Sequence, residues 1–231
     1  LPGAGLPPGE GARATRSVAG LLGTDQDLAP FYIITKSDPV MSEVVERFYG
    51  LHLPHTATVF EALVLGVLGQ QLATNVARII RTLVIETFGP CAEFDGETYY
   101  SFPRPEAIWG SSPEVLRTMK LTQRKSEYVH GIAGAALDPE VDLEGLAKLP
   151  DSEIVTRLTA LRGVGMWTAQ WALIRAVGRP DALPLGDLAL RSIYRDSSKP
   201  TTLLDKSVED EFISVATAMK KSLKEFGSEA A

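Results

Sequence analysis

The sequence predicts an all-α protein. Three observations carry that expectation: apolar residues recur at helical rather than alternating spacing, helix start and stop signals punctuate the chain repeatedly, and strand signals are short and scattered. The best strand candidate, Phe31 to Thr35, is only five residues long.

Each element follows from local chemistry. Leu1 to Gly11 is rich in Gly and Pro and too poor in apolar surface to order itself, so residues 1–24 are expected to form a flexible tail and linker. Thr58 and Glu61 make a capping box ahead of Phe60, Leu63, Val64, Val67 and Leu68. Gly69-Gln70-Gln71 interrupts that run. Helical spacing resumes from Ala73 to Phe88 with Val76, Ile79, Ile80, Leu83 and Val84, and Gly89-Pro90 stops it. Ser112, Pro113 and Glu114 open another helix in the order cap, first-turn proline, first-turn acid, and a further helix runs from about Gln123 to Ala136. Asp151, after Pro150, is expected to cap a helix ending near Leu161. Gly163-Val164-Gly165 separates it from a helix over Met166 to Val177, stopped by Gly178 and Pro180. A short helix should begin after Asp187, and a last amphipathic one should run from about Ser207 to Phe226 with Val208, Phe212, Val215 and Met219 inward.

Composition excludes several classes. With 231 residues, 45% hydrophobic and 23% charged, the chain reads as globular rather than disordered, collagenous or coiled-coil. The lone Cys91 can build neither a disulfide framework nor a four-ligand zinc site, and His52, His55 and His130 show no metal spacing. No apolar run reaches the roughly 20 residues of a membrane helix and no basic-then-apolar leader opens the chain, so a reducing cytoplasm, away from membranes, is expected. The chain is also expected to be a monomer. A net charge of -6 disfavours coating nucleic acid by bulk charge. Between Arg162 and Lys206, however, seven basic residues face four acidic ones, so that segment is +3 and the remainder -9. Nucleic-acid binding would have to rest on a local patch there.

The chemistry concentrates at Leu161-Arg162-Gly163-Val164-Gly165-Met166-Trp167-Thr168-Ala169, which sets a glycine, an apolar plug and a second glycine between two helices. Glycines permit positive φ and close approach of another backbone. The amides opening the second helix then offer partial positive charge to a phosphate, without reading base sequence. A plain helix–helix turn with a glycine cap reads the same residues equally well.

That run resembles the signature of the helix-hairpin-helix (HhH-GPD) DNA glycosylases. The likeness continues through Gly178-Arg179-Pro180-Asp181 and Pro184-Leu185-Gly186-Asp187-Leu188-Ala189-Leu190-Arg191. It also takes in Phe60-Glu61-Ala62, Gly69-Gln70-Gln71 and Leu121-Thr122-Gln123-Arg124-Lys125-Ser126-Glu127-Tyr128, so it spans roughly Ala29 to Tyr194 and sits nearest the alkylated-base branch, the 3-methyladenine DNA glycosylase II type. The resemblance implies a two-lobed helical bundle whose N-terminal β domain is short or absent, with lobes at about 58–150 and at 25–57 plus 151–231, and the hairpin at about 152–177. It implies base excision repair of double-stranded DNA carrying alkylated bases, in the nucleoid or nucleus according to the organism, with no cofactor. Other readings are a glycosylase for deaminated or oxidised bases and a non-catalytic docking module.

Residue roles follow from the same resemblance. The family's catalytic aspartate falls on Asp187, at a predicted helix N-cap that favours the ionised form; a mere cap is the alternative. Trp167 stands where strand-cutting relatives carry a Schiff-base lysine, which implies hydrolysis without lyase chemistry. Trp167 and Trp171, four apart, share a helix face and could stack a cationic base, or simply pack in the core. Gln70, Gln71 and Leu72 would fill the gap left by a flipped nucleotide, Gln71 foremost, unless they form only a polar turn. Gly163, Val164, Gly165, Thr168, Arg124 and Lys125 would meet the DNA backbone. No metal is expected, although hairpin carbonyls could hold a monovalent ion. The tail from Ser207 to Ala231 lacks the tryptophan that relatives often bring to the pocket.

Overall fold

The computed structural model describes residues 9–180 together with Ala182, Pro184 and Asp187. Contacts divide the chain into two compact units, Leu1–Pro184 and Leu185–Ala231. These units are a different division from the two lobes drawn from sequence, and the hairpin region belongs to the same unit as residues 58–150. Of the second unit only Asp187 is described, and the helices expected after Asp187 and over Ser207–Phe226 lie outside the described residues.

The first unit is built around one helix, α4 (Val59–Gly69). Val59, Phe60, Ala62, Leu63, Val64, Gly66, Val67 and Leu68 are all buried, so α4 is apolar nearly all round, as a helix covered on every side must be. Around it pack α5 (Thr74–Phe88), α8 (Gln123–Ala136), α10 (Met166–Ala172) and a 3-10 turn, Leu143–Lys148. The short helices α6 (Pro105–Trp109) and α7 (Pro113–Thr118) close over α8, and α9 (Asp151–Thr159) packs on α10. Each fully buried Leu or Ile of this core contributes about 1.5–3 kcal/mol.

The start of α4 is capped three times. Thr58 Oγ1 accepts from the Glu61 amide at 3.0 Å, as the capping box predicts. Glu61 returns a bond to the Ala57 amide at 3.0 Å, one residue before the cap itself. Glu144, from the 3-10 turn, accepts from the Val59 and Phe60 amides at 2.9 and 3.2 Å, a carboxylate set against the positive end of the helix.

Several expectations are corrected. Phe31 to Thr35 is helix, not strand: α2 spans Ala29–Thr35, started by the Asp27 side chain accepting from the Ala29 amide and by Pro30 in the first turn. Residues 10–22 form helix α1 (Glu10–Leu22) rather than a flexible tail, and α3 covers Pro39–Arg47. α1 buries no residue of its own, but its end is held where the His55 amide donates to Leu21 O at 2.8 Å. A hairpin unforeseen in the sequence pairs β1 (Cys91–Phe94) with β2 (Glu97–Tyr100), Cys91 opposite Tyr100. Asp151 does not cap α9; Pro150 holds the cap position, and the Asp151 carboxylate accepts from Arg179 Nε at 2.7 Å.

Candidate functional site

The glycine hairpin joins α9 to α10, and its two glycines do different work. Gly163 has φ +92°, and a Cβ there would overlap the Tyr128 ring of α8. Its missing side chain lets the hairpin lie on α8. A Cβ at Gly165, the N-cap of α10, would meet nothing within 4 Å, so this glycine leaves an open approach to the first turn of the helix. Val164 between them is buried at 5% exposure and plugs into the core.

α10 in turn seats on α4 at Gly66, where a Cβ would come within 2.9 Å of the Thr168 methyl and 3.5 Å of the Trp171 ring. Trp167 and Trp171 stack with ring centroids 6.3 Å apart and planes 20° from parallel. The Arg175 guanidinium lies 5.7 Å from the Trp171 centroid, so Trp171 already carries a cation. The helix expected over Met166–Val177 is present, but its last turn, Leu173–Val177, is wound as a π-turn. Thr56 fastens that turn, donating from its amide and hydroxyl to Arg175 O at 2.6 and 3.2 Å. Gly178, at φ +75°, ends it.

The elbow between α4 and α5 comes to the same side as the hairpin. Gln70 Nε2 donates to Gly163 O at 3.1 Å and to Thr168 Oγ1 at 3.0 Å. Lys125 Nζ donates to Leu68 O at 3.2 Å and Gln70 O at 2.6 Å, and burial lowers the pKa of that ammonium. Gln71 is exposed at φ +55° and Leu72 is 37% exposed.

The expected DNA-facing set therefore separates. Gln71, Leu72, Gly165 and Arg124 lie at the surface. The side chains of Gln70, Lys125, Val164 and Thr168 turn inward and hold the elbow, hairpin and core together, and Gly163 is spent on Tyr128, a residue whose role the sequence did not suggest. Of the hairpin carbonyls, Gly163 O accepts from Gln70 and Leu161 O from the Val164 amide. Arg162 meets Glu127 at 3.2 Å and lies over Tyr128 at 5.6 Å. Asp187 is half-buried and belongs to the second unit.

Other polar clusters lie elsewhere. A cavity of about 860 Å³ opens at the far end of α4, lined among others by Thr58, Phe60, Glu61, Phe102, Arg104 and Glu144. The 11 residues of α4 put it roughly 16 Å along the helix from the elbow. His55 Nδ1 sits 3.1 Å from Gly20 O and His130 Nε2 3.1 Å from Ser111 O, so both rings are engaged apart from the hairpin. No described helix is long and apolar enough to cross a membrane.

Comparison with known proteins agrees with this geometry. Residues 64–216 match the model of the "HhH-GPD superfamily base excision DNA repair protein" family. The chain is 34% identical over 201 residues to a DNA-3-methyladenine glycosylase of Bacillus subtilis, covering 85% of this chain and 64% of the relative. It is 26% identical over 147 residues to DNA-3-methyladenine glycosylase 2 of Escherichia coli, covering 63% of this chain and 50% of the relative. Among solved structures, a 3-methyladenine DNA-glycosylase from Archaeoglobus fulgidus superposes with a TM-score of 0.72 at 29% identity, covering 81% of this chain and 63% of that one. The chain thus spans less than two thirds of the length of these relatives.

Proposed function

The chain belongs to the HhH-GPD superfamily of base excision DNA repair proteins, and from that premise we propose that it is a monofunctional DNA glycosylase acting on alkylated purines such as 3-methyladenine in duplex DNA. The observation that carries the reading is the stacked pair of Trp167 and Trp171, directly after the glycine hairpin, with no amine at position 167. A purine alkylated on a ring nitrogen is cationic, and an electron-rich indole face attracts it by about 0.5–2 kcal/mol, more as water is excluded. Contact with the base is assigned to the stacked pair, Trp171 also carrying Arg175 and packing against Gly66.

The reaction divides among few residues. The hairpin approaches a phosphate at Gly165, and the elbow at Gln71 and Leu72 enters the stack as the damaged nucleotide swings out. The bond between C1′ and the base nitrogen breaks with its electron pair leaving on the base, whose alkylation charge is thereby neutralised. Asp187, assigned by the family resemblance, faces the cationic sugar as a carboxylate and takes the proton of the water that adds to C1′. Free base and an abasic sugar result, and without a lysine at position 167 the strand stays intact.

The test is base release from duplexes carrying 3-methyladenine, hypoxanthine, uracil or 8-oxoguanine, by the parent and by Asp187→Asn. Release of the alkylated base by the parent, lost in the variant with strands uncut, is expected. Release by Asp187→Asn at the parent rate would remove the carboxylate from the mechanism, and strand cleavage by the parent would refute the hydrolytic assignment.

A further inference from the structure

Gln70 is held from two directions. Its carbonyl, with that of Leu68, accepts from the Lys125 ammonium of α8, so a cation satisfies acceptors that the end of α4 leaves without helical partners. Its side-chain amide reaches the other way, donating to Gly163 O in the hairpin and to Thr168 Oγ1 in α10. These bonds span 55 to 98 residues of sequence and join three separate pieces of the unit. Thr168 is 1% exposed, so the amide closes a site that would otherwise hold a buried, unpaired hydroxyl. The next residue, Gln71, takes the left-handed conformation and, with Leu72, faces solvent.

We propose that Lys125 and Gln70 are positioning residues, a clamp that fixes the exposed Gln71–Leu72 elbow to the glycine hairpin so that stack insertion and backbone grip move as one body. The inference rests on the glycosylase reading above. A wedge keeps a flipped base out only if it cannot recede from the point where the backbone is held, and small misplacements at a site cost large factors in rate. The ammonium serves here because it can satisfy two carbonyls at once, whereas a phosphate contact would need that same cation to face solvent.

The experiment uses the full chain with Gln70→Leu, Lys125→Met and the double substitution. Three readouts are taken: single-turnover release from dimethyl-sulfate-treated duplex, fluorescence of 2-aminopurine placed opposite an abasic analogue, and affinity for undamaged duplex across salt. Each single variant should slow release at least about tenfold and lose the 2-aminopurine response, with the salt dependence of binding unchanged. The double variant should be no slower than the slower single, because both residues act through one clamp. Parent-like release in both singles would overturn the proposal. So would a Lys125→Met defect confined to affinity, with the salt slope reduced by about one, since that marks a phosphate contact. Hydrogen exchange at the Val164 and Ala169 amides reads the clamp without DNA: faster exchange in Gln70→Leu supports it and unchanged exchange overturns it. If the parent releases no base from any lesion, the glycosylase reading fails while the exchange measurement still decides the clamp.

Discussion

Gly163 of the hairpin lies against Tyr128 of α8 so closely that even a methyl group at 163 would overlap the ring. The contact ties two segments 35 positions apart in the sequence, and the +92° φ of Gly163 adds a second reason for glycine. Gly163→Ala should therefore act through folding, destabilising the protein by about 2 kcal/mol or more from overpacking and backbone strain together. Urea denaturation checks this, and an unchanged midpoint would contradict it.

Gly165 behaves in the opposite sense, since space beyond its Cα is open and its backbone is extended (φ -93°, ψ 178°). Gly165→Asp should fold with near-parent stability yet bind duplex DNA at least about tenfold more weakly, because a carboxylate is set where a phosphate would approach. Titrations at matched salt for Gly165→Asp and Gly165→Ala separate charge from bulk: the aspartate should lose far more than the alanine.

The two tryptophans also divide. Trp171 packs against the core and lies within van der Waals distance of the Cβ position at Gly66, so Trp171→Ala should cost about 2 kcal/mol or more of stability. Trp167→Ala should slow release of cationic bases by about 2- to 30-fold, the factor a lost cation–π contact corresponds to. Release of a neutral lesion by the same variant should fall less. Equal loss on charged and neutral lesions would mean that the ring acts by shape alone.

What the sequence revealed of this arrangement depended on range. α8 runs from Gln123 to Ala136 as its spacing predicts, because Thr122 supplies a local cap to the Lys125 amide at 3.3 Å. The β1–β2 hairpin escaped that reasoning because both strands are exposed on both faces and show no apolar alternation, although Asp95-Gly96, both at positive φ, is a recognised turn pair. Phe31 to Thr35 reads as a strand candidate on its own, but the local Asp27 bond and Pro30 set it in a helix. Gln70 and Lys125 looked like surface DNA contacts because polarity says nothing about direction; their partners are brought to them only by the packing of α4, α8 and α10. Asp187 was legible only through resemblance to a family, as no local pattern distinguishes it from a helix cap.

The start of α4 offers a pH test independent of DNA. Burial raises the Glu61 carboxyl above its ordinary value, with the Ala57 amide and the nearby Arg175 charge pulling the other way. The folded protein then holds a proton on Glu61 more readily than the unfolded chain does. The folded state is therefore penalised as pH rises: the penalty is absent below the unfolded carboxylate value, grows between that value and the raised folded one, and is complete above it. Glu61→Gln keeps an oxygen for the Ala57 amide and cannot ionise, so it should remove that slope. Denaturation midpoints measured from about pH 4 to pH 7 should show the parent losing stability relative to Glu61→Gln as pH rises. A difference between the two that stays constant with pH would mean that the unfolded and folded forms hold this proton equally, and that burial at the α4 cap does not govern it.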